Sequence, residues 1–344
     1  MSKILYYSDL HFRKSGSFSG FNKVVSDCLT GELINILKGC DFIVDKILQE
    51  APDLVVDGGD FFHSPEYVSS QTIYAATIAL KKIRNACNEV GAIWLGIAGN
   101  HDTYSEIGNR VTSNAFLDGY MDKLYLSGDF YDLDGFGIYL FPHMSNDESV
   151  MLNLMKGEDE ADLIITHLDF NGFKYDSGKV SESQILPVIT KPCHTGHLHR
   201  ASEKDNVAYI ASNVQHRFYS RNLDQVGGVM LYDTAKDKIT RHKNTYSKHY
   251  IIADLDEDGD FFSKYSPEQV VVSASGFGDQ SDYKQLADYQ HIYFKKPLQN
   301  KEERNVSDMQ PIYMDQGDMT ETLGKYVSDN NPRAFSRLKN ILRM

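Results

Sequence analysis

Aspartate, asparagine and histidine recur in this chain in five short groups. They are Asp9-Leu10-His11, Gly58-Gly59-Asp60, Gly99-Asn100-His101-Asp102, a single His167, and Gly196-His197-Leu198-His199. The set holds carboxylates, imidazoles and one amide, and no thiolate. That mixture suits manganese, iron or zinc, and lacks the sulfur that would favour structural zinc. A carboxylate has two oxygens and can bridge two cations, and Asp60 is the natural bridge. In Asp9-x-His11 and His197-x-His199, residues i and i+2 share one face of an extended strand and can reach one cavity. Gly58, Gly59, Gly99 and Gly196 permit sharp turns and close backbone approach. Two ions about 3.5–4 Å apart can clamp a phosphodiester and generate a hydroxide nucleophile. One such group alone says little; five in sequence point to a metal site.

The elements that must position these groups are legible as apolar runs. KILYYSD (3–9), DLVVDGGD (53–60), AIWLGIAGNHD (92–102), GIYLFPH (137–143) and DLIITH (162–167) read as buried strands. Residues 31–50 and 70–90 carry apolar residues at helical spacing between the first three. Strand–helix–strand order predicts an α/β fold with parallel neighbours, and ligands gather outside the carboxyl ends of such strands. From about 205 to 255, the runs VAYIAS, GGVMLYD, KITRHKNTY and HYIIADL predict a second sheet.

At 344 residues the chain exceeds the usual size of a single hydrophobic core. The expected organisation is a core over 1–247, a small α/β cap over 248–297, a linker over 298–319 and a helical pair over 320–344. No apolar run of about 18 residues predicts a membrane span, and the N-terminus reads as a first strand rather than a secretory signal. Four scattered cysteines form no C-x-x-C pair and suit a reducing cytoplasm. The formal net charge of -13 opposes long-range attraction to nucleic acid. Action on DNA would need local compensation by divalent cations, a basic patch or a partner.

The ordered set DxH, GD, GNHD, His and GHxH resembles that of the calcineurin-like metallophosphoesterases, over about residues 3–200. The resemblance implies a four-layer sandwich, two packed sheets flanked by helices, that holds two metals. By the same resemblance Asp9, His11, Asp60 and His199 hold one ion, and Asp60, Asn100, His167 and His197 the other. His101 then faces the scissile phosphate, stabilising charge or protonating the leaving oxygen, and Asp102 orients His101 by a hydrogen bond. His194 falls outside this pattern and reads as a structural strand residue. His143 and His216 stay open. Ala211, in YIAS, stands where related sequences often have glycine.

GDFFH (59–63) further resembles the GD-x-F-H motif of SbcD-type nuclease subunits, which work with an SbcC-type ATPase, and the layout is most similar to that of phage recombination endonuclease subunits. This resemblance implies a manganese-dependent DNA exonuclease and endonuclease, with His63 beside the metals helping to handle DNA. It also implies a homodimer through helices within 31–50 and 70–90. Phe335, Leu338, Ile341 and Leu342, on helical spacing among Arg333, Arg337, Lys339 and Arg343, form a candidate ATPase-binding segment. A phosphatase or phosphodiesterase of small molecules is the competing expectation.

Overall fold

A computed structural model describes residues 2–14, 24–26, 29–104, 111–175, 177–187, 189–216, 227–254, 261–275, 293–294 and 312–313. The C-terminal candidates Phe335, Leu338, Ile341 and Leu342 lie outside them, as do positions 276–292 of the expected cap and nearly all of the expected linker. The chain divides into two compact units. One comprises Met1–Lys14, Val24–Gln215 and Gln225–Ser247; the other comprises Ser15–Lys23, His216–Asp224 and Lys248–Met344.

In the first unit, Lys3–Tyr7 (β1), Gly31–Glu50 (α1), Leu54–Asp57 (β2), Ser70–Val90 (α2), Ile93–Ile97 (β3) and Lys123–Tyr125 (β4) come first. The two helices have the bounds their spacing predicts. Thr30 and Ser69 cap their N-termini through side-chain oxygens, and Gly91 ends α2 in the left-handed conformation. Then follow Asp129–Leu133 (β5), Phe136–Leu140 (β6), Asp147–Glu160 (α3), Leu163–Thr166 (β7) and Cys193–Thr195 (β8). Ser202–Lys204 (β9), Val207–Tyr209 (β10), Gly228–Asp233 (β11) and Lys238–Lys243 (β12) complete its two large sheets.

The strands form two six-stranded sheets. The first has the order β12-β11-β1-β2-β3-β4, the second β9-β10-β8-β7-β6-β5. β1 to β4 run parallel, as do β6, β7, β8 and β10; the antiparallel strands lie at the margins. Alternation sorts the side chains into layers. Ile4, Tyr6, Leu54 and Val56 of the first sheet meet Ile138, Leu140, Leu163 and Ile165 of the second in an inter-sheet core. Leu5, Tyr7, Val55 and Trp94 face α1 and α2, while Tyr139, Ile164 and Cys193 pack with α3 residues Val150 and Leu154. The result is a four-layer α/β sandwich.

The strands after residue 205 do not form one second sheet. β10 extends the sheet of β6–β8, whereas β11 and β12 return to pair beside β1. His249–Asp254 (β13) pairs in parallel with Val270–Ser275 (β14) in a separate four-stranded sheet of the second unit. Local propensity identifies each strand but not its partner, because long-range pairing decides the sheet. α3 was not expected: its spacing is weakly amphipathic, and its local signals were Asn146, which caps Ser149 N–H, and the acidic first turn of Asp147 and Glu148. Among the described residues, no helix is long and apolar enough to cross a membrane.

His194 lies on β8 in the inter-sheet core, edge-on to Tyr6 and Tyr232 with ring centroids 5.0 and 4.8 Å away. Burial, and then the charge of Arg241, lower its pKa to about 3, so the folded imidazole is neutral. An unfolded histidine takes up a proton near pH 6.5. The stability held through neutral His194 is therefore complete above about pH 6.5 and is lost as pH falls towards about 3, at up to about 1.4 kcal/mol per unit. His194→Leu should move the acid-unfolding midpoint, followed by circular dichroism, to lower pH; an unchanged midpoint contradicts this.

Candidate metal centre

All five groups leave the carboxyl ends of strands: Asp9 and His11 follow β1, Asp60 follows β2, Asn100–Asp102 follow β3, His167 follows β7, and His197 and His199 follow β8. Backbone hydrogen bonds tie the loops together. Asp9 N–H donates to Gly59 O (2.9 Å), His11 N–H to Asp60 O (2.9 Å) and Gly196 N–H to Thr166 O (3.1 Å). Asp9, His11, Asp60 and His197 all have left-handed backbones, with φ of 55°, 47°, 57° and 85°. Such conformations cost a non-glycine residue about 1–2 kcal/mol each and concentrate at functional sites. Gly99 has no alternative: a Cβ there would lie 2.1 Å from Asp60 Oδ1. Ala211 also adopts a left-handed φ, 78°, a conformation that favours glycine.

The structure brings all seven expected ligands together. His11 Nε2 is 3.0 Å from His199 Nε2 and 3.9 Å from Asp9 Oδ1, and His199 Nε2 is 3.7 Å from that same oxygen. On the other side, Asn100 Oδ1 is 3.1 Å from His167 Nε2 and 2.8 Å from His197 Nδ1. Asp60 Oδ2 joins the two sets, 3.7 Å from His11 Nε2 and 3.4 Å from His167 Nε2. Ligand atoms about 2.1 Å from one ion stand roughly 3.0–3.4 Å apart; the separations of 2.8 to 3.9 Å straddle that range, so side-chain shifts of a few tenths of an ångström would seat two adjacent cations. The donor set excludes no first-row metal among manganese, iron and zinc. When bound, two such ions polarise a phosphoester and lower the pKa of a water molecule.

Burial and charge set the protonation of the metal-free centre. Burial opposes the positive form of His167, but the Asp60 charge and hydrogen bond outweigh it and push its pKa up to about 10. Burial would raise Asp60, yet His167 and the nearby His101 hold it well below the usual carboxylate range. His197 is lowered to about 3 by burial and by the positive His167. His167 Nδ1 lies 2.7 Å from Gly58 O, which fixes Nδ1 as donor and leaves Nε2 for an ion.

The residues expected around the phosphate are also present, but one has a different role. His101 and His63 stack with centroids 5.1 Å apart, and His63 Nδ1 is 3.3 Å from His11 Nδ1. Asp102 does not orient His101. The His101 Nδ1 lies 2.8 Å from His63 O, its hydrogen-bond partner in place of Asp102. The fully buried Asp102 carboxylate instead accepts the amides of Asp60 (2.7 Å), Phe61 (3.4 Å), Phe62 (3.0 Å) and Gly99 (2.9 Å). A carboxylate one residue from histidine reads as its partner, whereas tertiary structure offers it better donors.

Three residues at the centre carried no sequence signal or an ambiguous one. Ser8 donates to Asp9 Oδ2 at 2.5 Å, and Ser212 donates to Asp9 O at 2.8 Å. His143 lies nearly parallel to His197 (17°), its Nδ1 3.3 Å from His167 O. His194 is in the core, away from these ligands, and His216 is buried and groups with the second unit.

Two outcomes follow. Ion binding at neutral pH must displace the His167 proton. Calorimetry in buffers of differing ionisation enthalpy should therefore show proton release, with affinity rising up to tenfold per unit until about pH 10. Asp102→Ala leaves several buried amides unpaired, and each costs about 1–3 kcal/mol. It should lower stability by at least about 3 kcal/mol in denaturant titrations and deplete bound metal.

The calcineurin-like phosphoesterase profile matches residues 2–201. No curated protein matches. Among solved structures, the chain is similar to the phosphoesterase YfcE from E. coli, with 12% identity over 69% of this chain and 96% of that one and a TM-score of 0.34. It is also similar to a dimetal phosphatase from Danio rerio (10%, 67% and 91%, 0.35) and to GAP50 of Plasmodium (9%, 78% and 96%, 0.35). At these TM-scores the structural likenesses add no weight. The profile match spans more than half of the chain and every ligand described above, and the chain therefore belongs to the calcineurin-like phosphoesterase family, whose chemistry is metal-dependent hydrolysis of phosphoesters.

Proposed function

We propose that this phosphoesterase is a DNA nuclease, the SbcD-type subunit of an end-processing complex in recombination or double-strand-break repair. The observation that carries the reading is His63 of GDFFH, packed against both His11 and His101 in a triangle of imidazoles. Were His11 Nε2 to hold an ion, its Nδ1–H would donate to His63 Nδ1, 3.3 Å away. The outer nitrogen of His63 is then a neutral N–H donor, suited to a phosphate oxygen of a diester. His101, anchored by Nδ1 on His63 O, keeps Nε2 for the leaving oxygen.

Manganese is the proposed metal. Tyr67, Ile73 and Tyr74 are exposed at the start of α2 and support a homodimer through α1 and α2. Residues 248–297 would engage DNA, and Phe335, Leu338, Ile341 and Leu342 would dock on an SbcC-type ATPase that also supplies basic DNA-binding surface. The cytoplasm is the proposed compartment, and the described cysteines Cys40, Cys87 and Cys193 are free thiols. The net charge of -13 favours the second reading, a hydrolase of small phosphoesters or nucleotides.

Metal-stripped protein, reloaded with manganese, should degrade linear duplex DNA as well as bis-p-nitrophenyl phosphate. His101→Ala should retain both ions and lose about 10²–10⁴-fold in turnover, whereas Asp60→Ala should lose metal and activity together. Ester hydrolysis with no DNA cleavage, even with the ATPase present, would sink the nuclease reading in favour of the small-molecule one.

A further inference from the structure

Asp57, the last residue of β2, is a carboxylic acid where an apolar side chain would be expected. It is 1% exposed and faces the helix side of the first sheet, in register with Tyr7 on β1. Tyr7 in turn accepts a hydrogen bond from Trp94 Nε1 at 3.2 Å. Burial, reinforced by the charge of Asp102, pushes the Asp57 carboxyl well above the carboxylate range. The Gly59 N–H and the neighbouring Tyr7 hydroxyl offset part of that rise, but Oδ2 makes no hydrogen bond of full geometry. A buried acid in this state costs stability relative to an apolar residue of similar size.

Its other oxygen makes one hydrogen bond. Oδ1 accepts the N–H of Gly59 at 3.0 Å. That N–H belongs to the Gly58–Gly59 peptide, whose carbonyl, Gly58 O, faces His167 Nδ1 at 2.7 Å. One peptide plane is thus held at both ends, by Asp57 at N–H and by His167 at C=O. Gly58 and Gly59 offer little resistance to a flip of that plane, and Gly59 already has φ of 96°. A flip would turn the carbonyl away from Nδ1 and release the imidazole.

We propose that Asp57 is a positioning residue for the metal centre: by gripping Gly59 N–H it fixes the Gly58 carbonyl and, through it, aims His167 Nε2 at Asp60 and Asn100. The inference rests on the reading of His167 as an ion ligand. Partners one step removed from a metal typically change affinity 10–100-fold when lost. Asp57 acts here at two steps, through the backbone.

Asp57→Asn keeps the acceptor oxygen, while Asp57→Leu and Asp57→Ala remove it at two side-chain volumes. Zinc affinity would be measured by chelator competition, with the emission of Trp94, the sole tryptophan, as a second reporter. Asp57→Asn should bind within about threefold of the unsubstituted chain. Asp57→Leu should bind one ion at least tenfold more weakly, while its metal-free form stays folded with a single cooperative thermal transition. In the metal-free protein, nuclear magnetic resonance should find His167 Nδ1–H slow to exchange in the unsubstituted chain and Asp57→Asn, and fast in Asp57→Leu. This last readout needs no ion, so failure of the chain to bind metal would overturn the ligand reading and leave the positioning role decided separately. Unchanged affinity and exchange in the Leu and Ala variants would overturn the proposal. So would an Asn variant as impaired as Leu, or affinity lost only in step with Tm or folding.

Discussion

The Asp102 carboxylate accepts the amides of Asp60, Phe61, Phe62 and Gly99, and so ties the loop after β2 to the loop after β3. These two loops carry the bridging candidate Asp60, the amide ligand Asn100 and the acid candidate His101. Charge-assisted bonds to a buried carboxylate are the strong ones, and several converge here. They are placed where the chain most needs them, beside residues whose left-handed backbones would otherwise relax. Asp60 N–H goes to Asp102, while Asp60 Oδ1 accepts His101 N–H at 2.8 Å. The bridge is therefore held from both loops at once, and only its Oδ2 faces the two ligand sets.

Around that anchor, one residue type occupies three electrostatic states. His194 is neutral because it lies between two tyrosines in the inter-sheet core with no acid near enough to offset burial. His167 is just as buried yet positive in the metal-free protein, because Asp60 is 3.4 Å away. His197 is neutral because His167 is positive. The difference is set by which loop each strand end enters, not by burial alone. Two histidines three positions apart, His194 and His197, thus serve the fold and the site respectively, and the turn at Gly196 separates them.

Much of this was legible in the sequence because it depends on local signals. The runs that become β1, β2 and β3 are apolar and short, the helices between them are capped and amphipathic, and each ligand group sits directly after a strand. What was not legible depends on long-range geometry. The strand GVMLYD looks the same whether it pairs with its sequence neighbours or beside β1. Asp102 stands next to His101 in the chain but turns towards amides some forty residues earlier. Asp57 reads as part of a polar turn, DGGD, until strand pairing puts it one layer beneath the centre, beside Tyr7. Proximity along the chain overstates side-chain partnership when buried backbone donors compete for the same carboxylate.

The acidity of the chain and its expected anionic substrate are reconciled at the same place. The net charge of -13 is a property of the whole surface, and at physiological salt exposed charges act over about 8 Å. The centre is a different environment, where bound cations are the largest local charges. The carboxylates of Asp9 and Asp60 are its acids, both fully buried among histidines. Two divalent cations would outweigh those two carboxylates and leave a positive focus there. Without ions, a proton on His167, paired with Asp60, places positive charge at the centre. Ion loading would make the centre one that attracts phosphate, so bound metal would act on substrate encounter as well as on bond cleavage.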